Sequence, residues 1–278
     1  MILPANFHRL CIALLALAPA TLAAQTTPVL INQGMYFENF DSMGPNGTNY
    51  VAGWNGFKVT GNGNQLSNGQ FITSSTNPPF TVSNGGDNNG TIYNFGTTGS
   101  SDRALGSIAT ATTTPGFGVV LVNNSGRQLG GADILIAFRE EEWRSGSSNN
   151  DEEHWAFQWR TSSTTLDVND LSVGWTAQTD LDLVEVVNGN TSGSSIDGNA
   201  PGNFNNVSGT IQGLVWNPGD RLVLRWLDTN NLGADSGMAI DEFTFWVFAP
   251  VPEPATWALC GGAAALFLAA RTRKRIAA

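Results

Sequence analysis

An all-β fold, an antiparallel two-sheet sandwich or jelly roll, is what the sequence predicts for the body of this chain, residues 25–249. Three observations predict it. Short runs rich in β-branched and aromatic residues recur along the chain, each closed off by Gly, Asn, Ser, Thr or Pro. Helical stripes with a period near 3.6 are absent. Late in the chain the alternation has a period of 2: Trp155, Phe157 and Trp159 share one face while Ala156, Gln158 and Arg160 share the other.

In order, the runs that read as strands are Met35 to Phe40, Gln70 to Ser74, Thr91 to Phe95, Arg103 to Ile108, Gly118 to Asn123, Ala132 to Arg139, His154 to Thr161, Leu181 to Val187, Val207 to Leu214, Arg221 to Asp228 and Met238 to Phe248. In the run from Arg221, residues Leu222, Leu224 and Trp226 oppose Arg221, Val223 and Arg225, the pattern of a half-buried strand. Asn217-Pro-Gly-Asp220 is a turn sequence with Pro and Gly in its two central places, leading straight into that strand. Many strands punctuated in this way are expected to pack as two sheets. The Gly/Asn-rich stretches at 61–69, 83–90 and 188–202 read as surface loops, and nothing divides 25–249 into two domains.

The ends of the chain read as targeting segments. Residues 1–24 have the layout of a secretory signal peptide: Arg9, an apolar stretch from Leu10 to Leu17, and small residues ending at Ala24. At the other end, in 250–278, stand Pro252, Glu253 and Pro254, then the apolar segment Ala255 to Ala270, then the basic cluster Arg271, Arg273, Lys274 and Arg275. Pro254 suits the first turn of a helix. Sixteen helical residues extend about 24 Å, a short transmembrane helix for a hydrocarbon core of about 30 Å. The cationic cluster places that end on the cytoplasmic side and the large domain outside. A plain anchor would explain the apolar run and the arginines, but it does not call for the triplet just before the helix. The three features in this order resemble the PEP-CTERM sorting signal of Gram-negative bacteria. The resemblance implies a membrane partner, an exosortase-type processing enzyme, and delivery to the cell surface or extracellular matrix.

Composition excludes several functions. Of the two cysteines, Cys11 lies in the signal and Cys260 in the tail, so the body has no disulfide, thiol nucleophile or cysteine zinc site. Between residues 25 and 254 there are 8 Lys plus Arg against 23 Asp plus Glu, a net charge of −15 that repels nucleic acid. His154 is the only histidine outside the signal, which rules out a His-based triad or a two-His metal site. The Gly-x-Ser-x-Gly elbow and the phosphate-binding glycine loop are both missing.

Two acidic constellations remain. Asp228, Asn230 and Asp235, with Gly233 for a tight turn and Asp241 opening the next strand, offer the oxygen ligands that Ca²⁺ takes. The same residues also suit a hairpin loop bonding its own backbone. Glu140, Glu141 and Glu142, and then Asp151, Glu152 and Glu153 beside His154, flank a Ser/Asn-rich stretch. Consecutive acids do not share a strand face as a retaining glycosidase pair requires. They are expected to form a solvated hairpin tip. Trp54, Trp143, Trp175, Trp216 and Trp246 cannot all be assigned to a core, and exposed tryptophans suit stacking on sugar rings.

Phe37-Glu-Asn-Phe-Asp-Ser-Met-Gly44 with Gly53-Trp54, Glu142-Trp-Arg144, and the stretch from Arg225 to Phe243 resemble phrases of exported bacterial ectodomains that carry the same tail. Related sandwiches of the lectin (concanavalin) and laminin-G type bind carbohydrate or protein. The expectation is an exported adhesion or ligand-binding module without catalysis of its own, with extracellular polysaccharide as a partner. The alternatives are a carbohydrate-active hydrolase and a structural component of extracellular polymer.

Overall fold

The computed structural model describes residues 26–60, 70–72, 81–147, 152–187 and 193–249. The signal segment and the Pro-Glu-Pro tail lie outside the described residues. Within them no helix is long and apolar enough to cross a membrane.

The strands are β1 (Val29–Ile31), β2 (Gly34–Glu38), β3 (Trp54–Thr60), β4 (Gln70–Ile72), β5 (Thr81–Ser83), β6 (Thr91–Phe95), β7 (Ala104–Ile108), β8 (Thr113–Asn123) and β9 (Leu129–Gly130). They continue as β10 (Ile134–Ser145), β11 (His154–Ser162), β12 (Thr176–Ala177), β13 (Leu183–Val184), β14 (Ser194–Ser195), β15 (Phe204–Gly209), β16 (Val215–Trp216), β17 (Arg221–Asp228) and β18 (Gly237–Val247). Two eight-stranded sheets face each other. The first runs β12-β11-β17-β8-β3-β4, with β1 also on β8 and β13 also on β11. The second runs β14-β10-β18-β7-β6-β5, with β15 also on β10 and β2 also on β18. Pairing is antiparallel except for β1 with β8 and β5 with β6. The expected two-sheet sandwich is therefore the observed architecture.

The core lies between the sheets. Trp155, Phe157 and Trp159 of β11 and Leu222, Leu224 and Trp226 of β17 meet Ile134, Ile136 and Phe138 of β10 and Phe243, Phe245 and Val247 of β18. Trp226 is its hub: its ring lies within 5.2–6.3 Å of Trp54, Phe117, Phe138, Phe157 and Phe243. The indole N–H is satisfied by the Leu181 carbonyl at 2.9 Å.

β17 corrects the expectation of a half-buried strand, because both of its faces are covered. The segment 163–175 lays Leu166 and Val168 over Val223, Leu227, Val120 and Phe57 on the outer face of the first sheet. Arg225 fixes it there, donating to the Val168 and Asp170 carbonyls at 3.0 and 2.8 Å and to Gln158 Oε1 at 2.7 Å, with its guanidinium 3.5 Å from the Trp175 ring centroid. Gly118 lets the neighbouring strand come this close, since a Cβ there would sit 2.1 Å from the Leu224 carbonyl oxygen. At the start of β17 the Asn217–Asp220 turn is as expected: Gly219 has φ 84° and the Asp220 amide donates to the Asn217 carbonyl at 3.1 Å.

On β18 one residue changes the parity of the whole strand. Ala137 pairs with Thr244 but Arg139 with Asp241, so β18 carries an extra residue, and Glu242 at that bulge has φ 49°. Phe243, Phe245 and Val247 point into the core on one side of it, and Met238 and Ile240 on the other. Asp241 and Ala239 are thereby turned to the outer face, where Ala239 joins Tyr93, Phe95, Ala104, Ile108 and Trp143 in a separate apolar cluster.

Candidate functional site

The structure overturns the solvated-tip reading of the consecutive glutamates, since Glu140, Glu141, Glu142 and Glu153 are all buried. β10 does not end at Arg139 but runs on to Ser145. Glu140 and Glu142 follow Ile134, Ile136 and Phe138 on the inward face and accept amides from β13, the partner of β11, and from the residues just after it. Val184 N–H donates to Glu140, and the Val186 and Val187 N–H groups donate to Glu142 Oε2 at 2.8 and 2.6 Å. Glu141 faces outward, held by Trp143 Nε1 at 3.0 Å and paired with Arg139 at 3.2 Å. Of the other residues in that reading, Glu152 and His154 are exposed and 3.2 Å apart, while Asp151 lies outside the described residues.

The four residues expected to hold calcium do not come together. Asp228 ends β17 fully buried, its Oδ2 taking the Ser107 hydroxyl at 2.9 Å, which in turn takes Trp155 Nε1 at 2.8 Å. Asp235 caps the loop, accepting the Asn231 amide at 3.1 Å, and the Asn230 side chain donates to the Asn231 carbonyl. Asp241 belongs to the outer face of the second sheet, where Glu141, Asp102 and Glu242 repel it. Among the described residues no group of three or more His, Cys, Asp or Glu is arranged to hold a metal ion.

Two acidic sets therefore exist, one on each side of the second sheet. In the inward set, burial pushes Glu140 up to about 7 and Glu142 and Glu153 up to about 8. Asp228 is raised well above the usual carboxylate range for the same reason, with Glu153 and Asp235 adding repulsion. Asp235 is raised to about 6 by burial. In the outward set, burial brings Glu141 to about 7 and Asp241 to about 8. Among the described residues no Lys, Arg or His side chain forms an ion pair with Glu140, Glu142, Asp228 or Asp235.

Two surfaces stand open to a ligand. The first is a cleft of about 640 Å³ at one end of the sandwich, between Asn88, the turn Ile108–Ala111, Arg144 and the loop Asn230–Asp235. Asp235 is the one acid lining it; Glu142, Glu153 and Asp228 are sealed off from solvent. The second is the bare half of the second sheet's outer face. β2 pairs with β18 so that Met35 lies opposite Trp246 and Phe37 opposite Thr244. Beyond them lie Leu135 and Ala137 on β10, and Ser208 and Asn206 on β15. Met35, Phe37, Trp246 and Phe248 are all exposed there, Trp246 by 44%, and the Trp246 and Phe248 rings are 5.8 Å apart. A hollow of about 200 Å³ bounded by Arg139, Asn206, Ser208 and the bulged Glu242 adjoins the strip.

Of the tryptophans set aside in the sequence, Trp54, Trp143 and Trp216 are buried, Trp175 is partly covered by Arg225, and Trp246 is the exposed one. Alternation along 245–247 had pointed to Trp246. The remainder of the strip was not evident, because Met35 and Phe37 reach it through a pairing between strands some two hundred residues apart.

No family model and no curated protein matches the chain. Solved structures of similar shape include the cleaved adhesin domain of the Lys-gingipain of Porphyromonas gingivalis, 15% identical over 76% of this chain and 98% of that one, with a TM-score of 0.36. Others are a xylan-binding domain of Paenibacillus barcinonensis, at 9% identity, 80% and 99% coverage and TM-score 0.34, and a family 11 carbohydrate-binding module of Clostridium thermocellum in complex with a mixed-linked tetrasaccharide, at 9%, 80%, 100% and 0.31. Likeness at these scores carries nothing about function. The class defined by the strand order itself is a two-sheet antiparallel sandwich with one bare aromatic face.

Proposed function

We propose that the sandwich is a binding module displayed outside the cell, and that it holds extracellular polysaccharide on the bare outer face of the second sheet. The observation that carries this reading is the strip of Phe37, Met35, Trp246 and Phe248 bordered by Arg139, Asn206, Ser208 and Glu242. A sugar ring has an apolar face that stacks on aromatic rings and a rim of hydroxyls that pairs with amides and charged groups, so the strip matches both. Glu242 adds support: a side chain held at positive φ in a strand is a strained arrangement of the kind found at binding sites.

The test is binding of the full-length chain to soluble polysaccharides by affinity electrophoresis. Trp246→Ala and Phe37→Ala should each weaken retention by roughly tenfold or more, as loss of a central aromatic anchor does. The unfolding temperature should barely move, because both side chains are exposed. Unchanged retention by both variants would leave the face without this role and favour a structural component of extracellular polymer.

For the chain as a whole we propose export followed by sorting through Pro252, Glu253 and Pro254 by an exosortase-type enzyme, with Arg271, Arg273, Lys274 and Arg275 holding the tail at the cytoplasmic side until it is processed. Replacing the triplet with alanines should leave full-length chain in the membrane, while the parent chain is recovered from the surface or medium without its tail, as read by intact mass. Identical masses and fractions for the two would overturn the sorting reading.

A further inference from the structure

Arg144 is the least satisfied of the buried guanidiniums among the described residues. It is only 8% exposed, yet among the described residues its guanidinium makes a single hydrogen bond, from Nη1 to the Gly85 carbonyl at 3.3 Å, and its Nε is buried with no partner there. The other buried guanidiniums are better held. Arg225 donates to two carbonyls and to Gln158, and Arg103 donates twice to Asn94. Arg139, Arg127 and Arg160 each pair with a carboxylate within 4 Å, whereas Arg144 has none. A cation taken out of water without an anion or a full set of acceptors is costly. Arg144 also lines the 640 Å³ end cleft, a volume within the ordinary range of small-ligand sites.

The rest of the cleft indicates what accompanies the anion. Asn88, Thr110, Asn230 and Asn231 present amides and a hydroxyl, Asp235 presents an acceptor, and Ile108 and the exposed Leu232 supply apolar contact. Groups of this kind pair with hydroxyls, while a guanidinium fork suits a planar carboxylate or a sulfate oxygen pair.

We propose that the end cleft binds an acidic sugar residue, its carboxylate or sulfate against Arg144 and its hydroxyls against Asn88, Thr110, Asn230, Asn231 and Asp235. The inference rests on the reading of the sandwich as a polysaccharide-binding module but uses a different surface from the aromatic strip. The acidic exterior of the domain opposes a polyanion at long range; that repulsion is screened within about 8 Å at 0.15 M salt, while a buried contact is screened much less.

Calorimetric titration of the full-length chain at pH 7 and 0.15 M salt tests it with three oligosaccharides: a uronic-acid oligomer, its carboxyl-reduced neutral counterpart, and a sulfated oligomer without carboxylates. The expected result is a Kd at least tenfold lower for the uronate or the sulfated oligomer than for the neutral one, and whichever acidic arm binds identifies the acid group. Arg144→Gln should erase that preference and Trp246→Ala should preserve it. If Arg144→Gln does not fold, Arg144→Lys replaces it and should reduce the preference at least threefold by losing the fork. Equal affinity for acidic and neutral oligomers, or a preference that survives in folded Arg144 variants, overturns the cleft assignment. The aromatic face is judged separately, by loss of neutral-oligomer binding in Trp246→Ala.

Discussion

Acidifying the full-length chain from pH 8 to pH 5.5 in the presence of a chelator should raise its unfolding temperature by about 10 °C or more. Six carboxyls have folded values raised by burial to between about 6 and about 8, and Asp228 is raised as well. An acid held above its unfolded value of about 4.5 binds its proton more tightly when folded, so it costs nothing below about pH 4.5. The penalty then grows as pH rises and is complete above the folded value. Between pH 5.5 and pH 8 one glutamate at about 8, as for Glu142 or Glu153, accounts for roughly 3 kcal/mol at about 1.4 kcal/mol per unit. In a domain of this size that corresponds to about 10 °C. The same experiment decides the calcium expectation attached to Asp228 and Asp235. A cation that neutralises the inward acids would raise the unfolding temperature at pH 8 when calcium replaces the chelator, and would do little at pH 5.5. An unfolding temperature that is flat with pH in chelator would show that the buried acids do not govern stability.

Trp226→Ala should cost about 3–5 kcal/mol, a large share of the roughly 5–15 kcal/mol that holds a domain folded. Five aromatic rings border this side chain and its N–H donates to the Leu181 carbonyl, so truncation opens a cavity between the sheets that neither sheet can close. Trp226→Phe keeps most of the ring volume and should lose less than half as much. Urea midpoints with near-ultraviolet circular dichroism measure both. A loss below about 1 kcal/mol for the alanine variant would mean that the hub is not where the core energy lies.

Residues that signal through their neighbours in sequence were legible. β6 and β17 occupy the spans read from the chain, the Asn217–Asp220 turn closes as Pro and Gly require, and Trp155, Phe157 and Trp159 share the inward face. What was hidden depends on partners far along the chain. Glu140 and Glu142 lose their water to amides at 184–187, and Arg225 to carbonyls at 168 and 170; no local pattern announces either. β3 escaped notice because Asn55 and Gly56 interrupt its start, and β15 lies at Phe204–Gly209 rather than Val207 to Leu214. The extra residue at Glu242 has no sequence mark of its own. Asp241 reads as a loop-end ligand until the bulge turns it to the far side of the sheet from Asp228.

The placement of β1 and β2 has a kinetic corollary. These two strands are the earliest of the body to leave the ribosome, yet β1 lies along β8 and β2 along β18, one in each sheet. β1 cannot dock until the segment at 113–123 has been made, and β2 not until that at 237–247. Such distant partnering makes for slow folding. The second sheet therefore cannot be completed until nearly the whole body has been synthesised, and its closure is a late step in folding.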